Sequence, residues 1–208
     1  MKTNELINQG SSFLRDNKIL TNRIDSEIML SHVIGVSRER LLIEEQKVDS
    51  KKIKKFRSLI IRRSRNEPIA YIIKFKEFRS INFFVDKNSL IPRPETELLI
   101  DPIISVFKRK KLFFLDAGIG SGCIIFSILK ELKHSNGVGI DINNKAITSA
   151  KKNLGRLNLK NRAKLLNRSI EKVVGYKFDL IISNPPYIIN RDIRGLSDDI
   201  KRYEPRSA

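Results

Sequence analysis

The chain has 208 residues, 41 Lys and Arg against 23 Asp and Glu, one Cys, no Trp and 40% hydrophobic residues, which gives room for one ordinary domain and a small second one. With no apolar run near the roughly 18–20 residues of a bilayer span, no basic-then-apolar leader pattern and the single Cys123, a membrane span, a secretory signal and a disulfide scaffold are not expected, and a reducing cytoplasm is the expected setting. The formal charge of +18 invites a nucleic-acid reading, yet residues 1–50 carry net −1, residues 51–65 carry eight basic and no acidic side chains, and residues 66–208 carry net +11 spread thinly.

Residues 3–66 read as helices separated by short breaks. Ile24, Ile28, Leu30, Val33 and Ile34 mark one amphipathic stretch that Gly35 ends. His32, beside that face with no Cys or second His near it, reads as a boundary histidine, and no metal is expected. Ile53, Phe56, Leu59, Ile60 and Arg63 follow helical spacing, with Lys51, Lys52, Lys54, Lys55, Arg57 and Arg62 mostly elsewhere. The basic excess there is either a solvated helix face or a polyanion site.

After Pro68, the β-branched and aromatic runs Tyr71–Phe75 and Ile81–Val85 predict two short strands. From residue 95 helices and strands alternate: Glu95–Lys108, Lys111–Asp116, Gly122–Lys133, Val138–Asp141, Asn144–Leu157, Ala163–Leu166 and Phe178–Ser183. That rhythm predicts a parallel sheet covered by helices, an α/β fold preceded by a small all-helical domain. Pro102 should kink the first of these helices or restart it with Asp101 as cap. The expected organisation is a helical domain over 1–67, a strand-pair linker over 68–94 and the α/β domain over 95–208.

The strand Leu112–Leu115 runs into Asp116-Ala117-Gly118-Ile119-Gly120-Ser121-Gly122, directly before an apolar helical stretch. Glycines there permit positive φ and let backbone approach a ligand at the carboxyl edge of a sheet. Position 123 is Cys rather than the Gly or Ala of a dinucleotide fingerprint, which disfavours a pyrophosphate cradle. Asp141 ends the next strand, 19 residues after Gly122, where a carboxylate accepts hydrogen bonds from ribose hydroxyls or caps the following helix. A glycine loop followed by such an acid points to a nucleoside cofactor. Together they resemble the S-adenosylmethionine site of Rossmann-like methyltransferases, with Asp116 near the methionine amino end. Cys123, with no partner base, reads as a buried small residue.

The strand Phe178–Ser183 leads into Asn184-Pro185-Pro186-Tyr187, a rigid turn at the same sheet edge. The Asn184 side chain and the Pro185 carbonyl would accept hydrogen bonds from the two N–H groups of a planar nitrogen and favour its pyramidalisation, while Tyr187 packs on the planar group. Two substrate classes share this signature, nucleic-acid amino groups and protein glutamine amides.

Upstream, Leu90-Ile91-Pro92-Arg93-Pro94-Glu95-Thr96-Glu97 follows a helical domain and a strand pair, and with the motifs above the chain resembles the peptide chain release factor glutamine methyltransferases. The resemblance implies a Rossmann-like sheet, S-adenosylmethionine as cofactor, and methyl transfer to the glutamine side chain of the Gly-Gly-Gln loop of release factors, which the helical domain helps to hold. It implies cofactor contact for Gly118, Ile119, Gly120, Ser121, Gly122, Asp141 and Asn184, substrate contact for Asn184, Pro185, Pro186 and Tyr187, and a pocket-lining role for Pro92–Glu97. Ser169 and Ile170 fall where the family places an acidic residue and an aromatic near the adenine; a lost carboxylate costs about 1–3 kcal/mol if its hydrogen bond is not replaced. The family continues through further strands after the Tyr203-Glu204-Pro205 segment, so the last visible strand is expected to be an uncovered edge and the chain alone marginally stable. Competing readings are an amino-methyltransferase of RNA or DNA and a product that only binds its partner.

Overall fold

The computed structural model describes residues 1–185 and 202–205. The chain forms two compact units, one built on Met1–Ile73 and one beginning at Lys74. Among the described residues no helix is long and apolar enough to cross a membrane.

The first unit contains α1 (Thr3–Asp16), α2 (Asn22–Ile34), α3 (Arg38–Ile43), α4 (Ser50–Ser64) and α5 (Ile69–Ile73). Its starts and stops are chemically marked. Ser37 and Asp49 accept from the Arg40 and Lys52 backbone N–H groups at the starts of α3 and α4, and Gly35 closes α2 with φ at 86°. Leu6, Leu14, Met29, Leu30, Phe56 and Ile60 lie in its buried core.

Two expectations fail in this unit. Ile24 is 47% exposed, whereas Asp25 and Glu27 on the same helix are buried. Asp25 pairs with Arg63 at 2.6 Å, and Glu27 with Arg23 and Arg38 at 2.8 and 2.9 Å, so ion pairs bring acids to the face that apolar spacing assigned to isoleucine. The strand expected over 71–75 is mostly helix: the Tyr71 and Ile72 N–H groups both bond the Pro68 carbonyl, and a left-handed Lys74 (φ 68°) ends the turn. Burial of Ala70, Tyr71 and Ile72 overrides their strand propensity.

The second unit opens with the antiparallel pair β1 (Phe75–Phe78) and β2 (Ile81–Phe84). A 3₁₀ turn, Pro94–Leu99, leads into α6 (Ile100–Phe107). Asp101 is not the cap. It lies in the first turn of α6 after Leu99 and pairs with Arg79 at 2.7 Å, and Pro102 fits that turn because the first helical N–H groups have no intrahelical partner.

The sheet of this unit is β3 (Phe113–Ala117), β4 (Asn136–Asp141), β5 (Ala163–Asn167) and β6 (Leu180–Ser183), all parallel in the order β5-β4-β3-β6. Helices α7 (Cys123–Glu131) and α8 (Asn144–Arg156) follow β3 and β4. Phe114, Ile125, Phe126, Ile128 and Ile147 join β1–β2 residues Phe78 and Phe83 in one core cluster. Leu115, Ala117, Val138 and Ile140 pack in another with Phe113, Tyr176 and Phe178. Among the described residues β6 is an edge strand, and its Ile181 is 57% exposed. It starts two residues later than expected, and Asp179 just before it is tied to Phe113 twice, its carboxylate accepting the Phe113 N–H at 2.8 Å and its own N–H donating to the Phe113 carbonyl at 2.8 Å.

Candidate active site

β3, β4 and β6 all end at one edge of the sheet, so the loops that follow them meet there. The three glycines after β3 have positive φ but different physical reasons. At Gly118 and Gly120 a Cβ would point into open space, whereas at Gly122 it would run into the Phe126 ring. The first two keep backbone exposed to a ligand; the third lets α7 start against the loop. The Gly118 and Ile119 N–H groups both bond the Ile140 carbonyl at 2.9 Å, which pins the loop to β4.

Asp141 is half-buried at the tip of β4. Its carboxylate accepts from the Gly120 N–H at 3.1 Å and from the Asn143 N–H at 2.8 Å. The cap of α8 is Asn143, whose side chain accepts from the Lys145 N–H. Asp141 is thus left facing the cleft, with lone pairs beyond the two backbone bonds.

Asp116 sits under the glycine loop with 1% exposure. One carboxyl oxygen accepts from the Ile125 N–H of α7 at 3.2 Å, and the other is buried with no hydrogen-bond partner among the described residues. Burial pushes this carboxyl up to about 7; the Ile125 bond opposes the shift and Asp141 adds to it. Burial and the neighbouring Asp116 push the Cys123 thiol up to about 12, which leaves it inert as a nucleophile at neutral pH.

At the end of β6 the Ser183 hydroxyl donates to the Ala117 carbonyl at 2.9 Å, and the Asn184 amide nitrogen donates to the Thr96 hydroxyl at 3.1 Å. The second bond uses one of the two amide N–H groups and orients the side chain, whose oxygen is its acceptor. Pro185 follows; Pro186 and Tyr187 lie outside the described residues.

These groups line a cleft of about 350 Å³ that includes Gly118, Gly120, Asp141, Ser169, Ile170, Asn184 and Pro185, within the usual range for small-molecule sites. Ile119, Ser121 and Gly122 are buried and, like Asp116, support the loop rather than line the cleft. The lining near the hairpin is Asn88, Ser89 and Leu90 rather than Pro92–Glu97, whose Thr96 reaches the site through Asn184. Composition does not reveal this wall, but its turn chemistry does: the Asp86 side chain accepts from the Asn88 N–H at 3.0 Å and from the Ser149 hydroxyl at 2.9 Å.

Sequence reasoning missed Glu171, Glu204, Pro205 and Asn153, and the part that Arg93 plays. Glu171 brings a carboxylate to the cleft wall two residues beyond Ser169, whose hydroxyl holds that carboxyl below its usual range. Pro205 closes another side, and Arg93 grips its neighbour Glu204, with one guanidinium nitrogen 2.7 Å from both carboxyl oxygens. Asn153 of α8, 1% exposed, bonds the Phe84 N–H and carbonyl and the Ser121 carbonyl, stapling β2 to the glycine loop.

The chain matches the family model of the PrmC N-terminal domain over residues 5–73 and that of the methyltransferase small domain over residues 94–196. A release factor glutamine methyltransferase of Caulobacter vibrioides is 36% identical over 198 residues, 94% of this chain and 68% of that protein. The chain belongs to the release factor glutamine methyltransferase family. A second member, from Buchnera aphidicola subsp. Schizaphis graminum, is 39% identical over 187 residues, 89% of this chain and 67% of its own length. A bifunctional methyltransferase of Rickettsia prowazekii is 37% identical over 206 residues, 89% of this chain and 40% of its own. As a member of this family the chain is an S-adenosylmethionine-dependent methyltransferase.

The residues present fit that cofactor. Open backbone at Gly118 and Gly120, a carboxylate at Asp141 and a buried unpartnered oxygen on Asp116 suit, respectively, a closely approaching chain, a ribose and a cationic amino group.

Proposed function

We propose that this chain transfers a methyl group from S-adenosylmethionine to the side-chain amide nitrogen of the glutamine in the Gly-Gly-Gln loop of peptide chain release factors. The observation that carries the reading is the Asn184 amide, held by Thr96 so that its oxygen stands as an acceptor on the cleft shared with Gly118, Gly120 and Asp141. The names of the relatives favour a release factor over a nucleic acid as acceptor.

When bound, S-adenosylmethionine supplies a methyl on a positively charged sulfur. The chain's part is to make a poor nucleophile attack it. An amide nitrogen is planar because its lone pair is delocalised into the carbonyl. The Asn184 oxygen and the Pro185 carbonyl accept its two N–H bonds, fix its orientation and favour pyramidal geometry, so the lone pair points at the methyl. The cofactor would supply the methyl, and the amide nitrogen held by Asn184 and Pro185 would accept it and give up one N–H proton to solvent. Asp141 holds the ribose, and Ser169 with Glu171 lies at the adenine side. Pro186 and Tyr187 are assigned to the substrate face, and the helical unit to holding the release factor.

The test is methylation of a purified release factor with methyl-labelled S-adenosylmethionine, beside the same factor carrying Ala for the loop glutamine and beside RNA. Label is expected in the unaltered factor alone. Label retained by the Ala variant, or found in RNA, would overturn the assignment.

A further inference from the structure

Two basic segments 22 residues apart in the chain meet at the amino-terminal edge of the sheet, the edge opposite the cleft. The Leu112 N–H donates to the buried Ser135 hydroxyl at 3.1 Å, and the Asn136 N–H donates to the Leu112 carbonyl at 2.9 Å. These bonds set Lys108-Arg109-Lys110-Lys111, after α6, beside Lys133-His134, after α7. All six side chains are exposed and, with Glu131, Leu132 and Ser135, line a concavity of about 490 Å³. The Arg162 guanidinium adds charge at its border, donating to the Leu132 carbonyl at 3.1 Å. Strand length puts this rim about 15–20 Å from the cleft.

The helix ends do not account for so much charge. α6 and α7 both terminate here, and each carboxyl-terminal dipole amounts to roughly half a negative charge. With Glu131 that balances about two of the five Lys and Arg charges in the concavity. Among the described residues the only apolar one in its lining, Leu132, is itself buried. A protein interface relies on aromatic and apolar anchors and is poor in lysine. A phosphate backbone needs neither, since its contacts come from Lys, Arg, hydroxyl and backbone N–H groups.

We propose that this rim binds the phosphate backbone of RNA, without sequence preference, as a docking surface separate from the methyl-transfer cleft. Here RNA is a partner and not the methyl acceptor, so the inference does not depend on which nitrogen is methylated.

The test is binding of the full chain to a short fluorescein-labelled single-stranded RNA over a series of salt concentrations. The unaltered chain is compared with three variants: Lys108, Lys110, Lys111 and Lys133 all to Gln; the same four to Arg; and Lys51, Lys52, Lys54 and Lys55 of α4 all to Gln. The rim Gln variant is expected to lower the steepness of log affinity against log salt by about 2–3, while the Arg variant and the α4 variant keep it. An unchanged slope in the rim Gln variant overturns the proposal, as does an equal loss in the Arg variant, or displacement of the RNA by polyglutamate at equal charge concentration. Cofactor binding in all four proteins is expected to be equal; its loss in the rim Gln variant alone would show a fold defect, and the single changes Lys108→Gln and Lys133→Gln would then be read instead, each expected to lower the slope by about 0.7, with an unchanged slope in both overturning the proposal.

Discussion

Asn184 and Asp116 show how one sheet edge gives two polar side chains opposite duties. Asn184 is held at its nitrogen and offers its oxygen, so Asn184→Ala removes an acceptor from the reacting amide but nothing from the cofactor cradle of glycines and Asp141. Methyl transfer is expected to fall about 100- to 1,000-fold, with cofactor affinity within a few-fold of the unaltered chain, as read by calorimetry. A comparable loss of both would place Asn184 in the cradle instead. Asp116 is buried with its carboxyl raised to about 7. A carboxyl raised on folding contributes stability that is complete below its unfolded pKa of about 3.9 and is lost as pH rises through the folded value. The ligand-free chain should therefore melt several degrees lower at pH 8.5 than at pH 5.5 on this account, and Asp116→Asn should lack that part of the decline. Parallel curves for the two proteins would contradict the assignment.

Among the elements, the glycine loop and the strands and helices around it were readable because their signals are local: apolar strand runs, positive-φ glycines and a polar cap lie within a few residues of where they act. The failures trace to burial and pairing that a local pattern of residue types does not carry. Residues 69–73 carry strand-like side chains, yet burial in the helical unit and the Pro68 carbonyl make them helix. Ile24 loses its expected burial to Asp25 because Arg63, 38 residues on, neutralises the acid. The Arg93 to Glu204 pair, 111 residues apart, belongs to the same class. It fixes Pro205 at the cleft by two charge-assisted bonds to a carboxylate side chain of 5% exposure. Arg93→Met is expected to cost about 2–3 kcal/mol of stability and to weaken cofactor binding, with Arg93→Lys intermediate because it keeps charge without the planar guanidinium. Denaturant melts and cofactor titration of both variants check this, and equal losses for Lys and Met would show that packing, not charge, holds the segment.

At the scale of the whole chain, the charge of +18 resolves into parts with different fates. In the Lys51–Arg65 segment, Arg62 and Arg63 are absorbed by ion pairs with Glu67 and Asp25. The thin spread of positive charge after residue 66 proves uneven, because sheet pairing gathers Lys108–Lys111 and Lys133 at one rim. That rim joins two clusters 22 residues apart, so neither alone stands out in the sequence. Fold and cofactor class could be read from three short motifs, whereas the acceptor rests on likeness to relatives, since an Asn-Pro-Pro turn suits any planar nitrogen. The position of the transferred methyl therefore decides which acceptor the chain serves. A release factor incubated with the chain and S-adenosylmethionine, digested and sequenced by tandem mass spectrometry, should carry one added methyl on the amide nitrogen of its Gly-Gly-Gln glutamine, and at most about a hundredth as much after an equally short incubation with the Asn184→Ala chain. A methyl on any other residue, or an unmodified glutamine with label in nucleic acid, would contradict it.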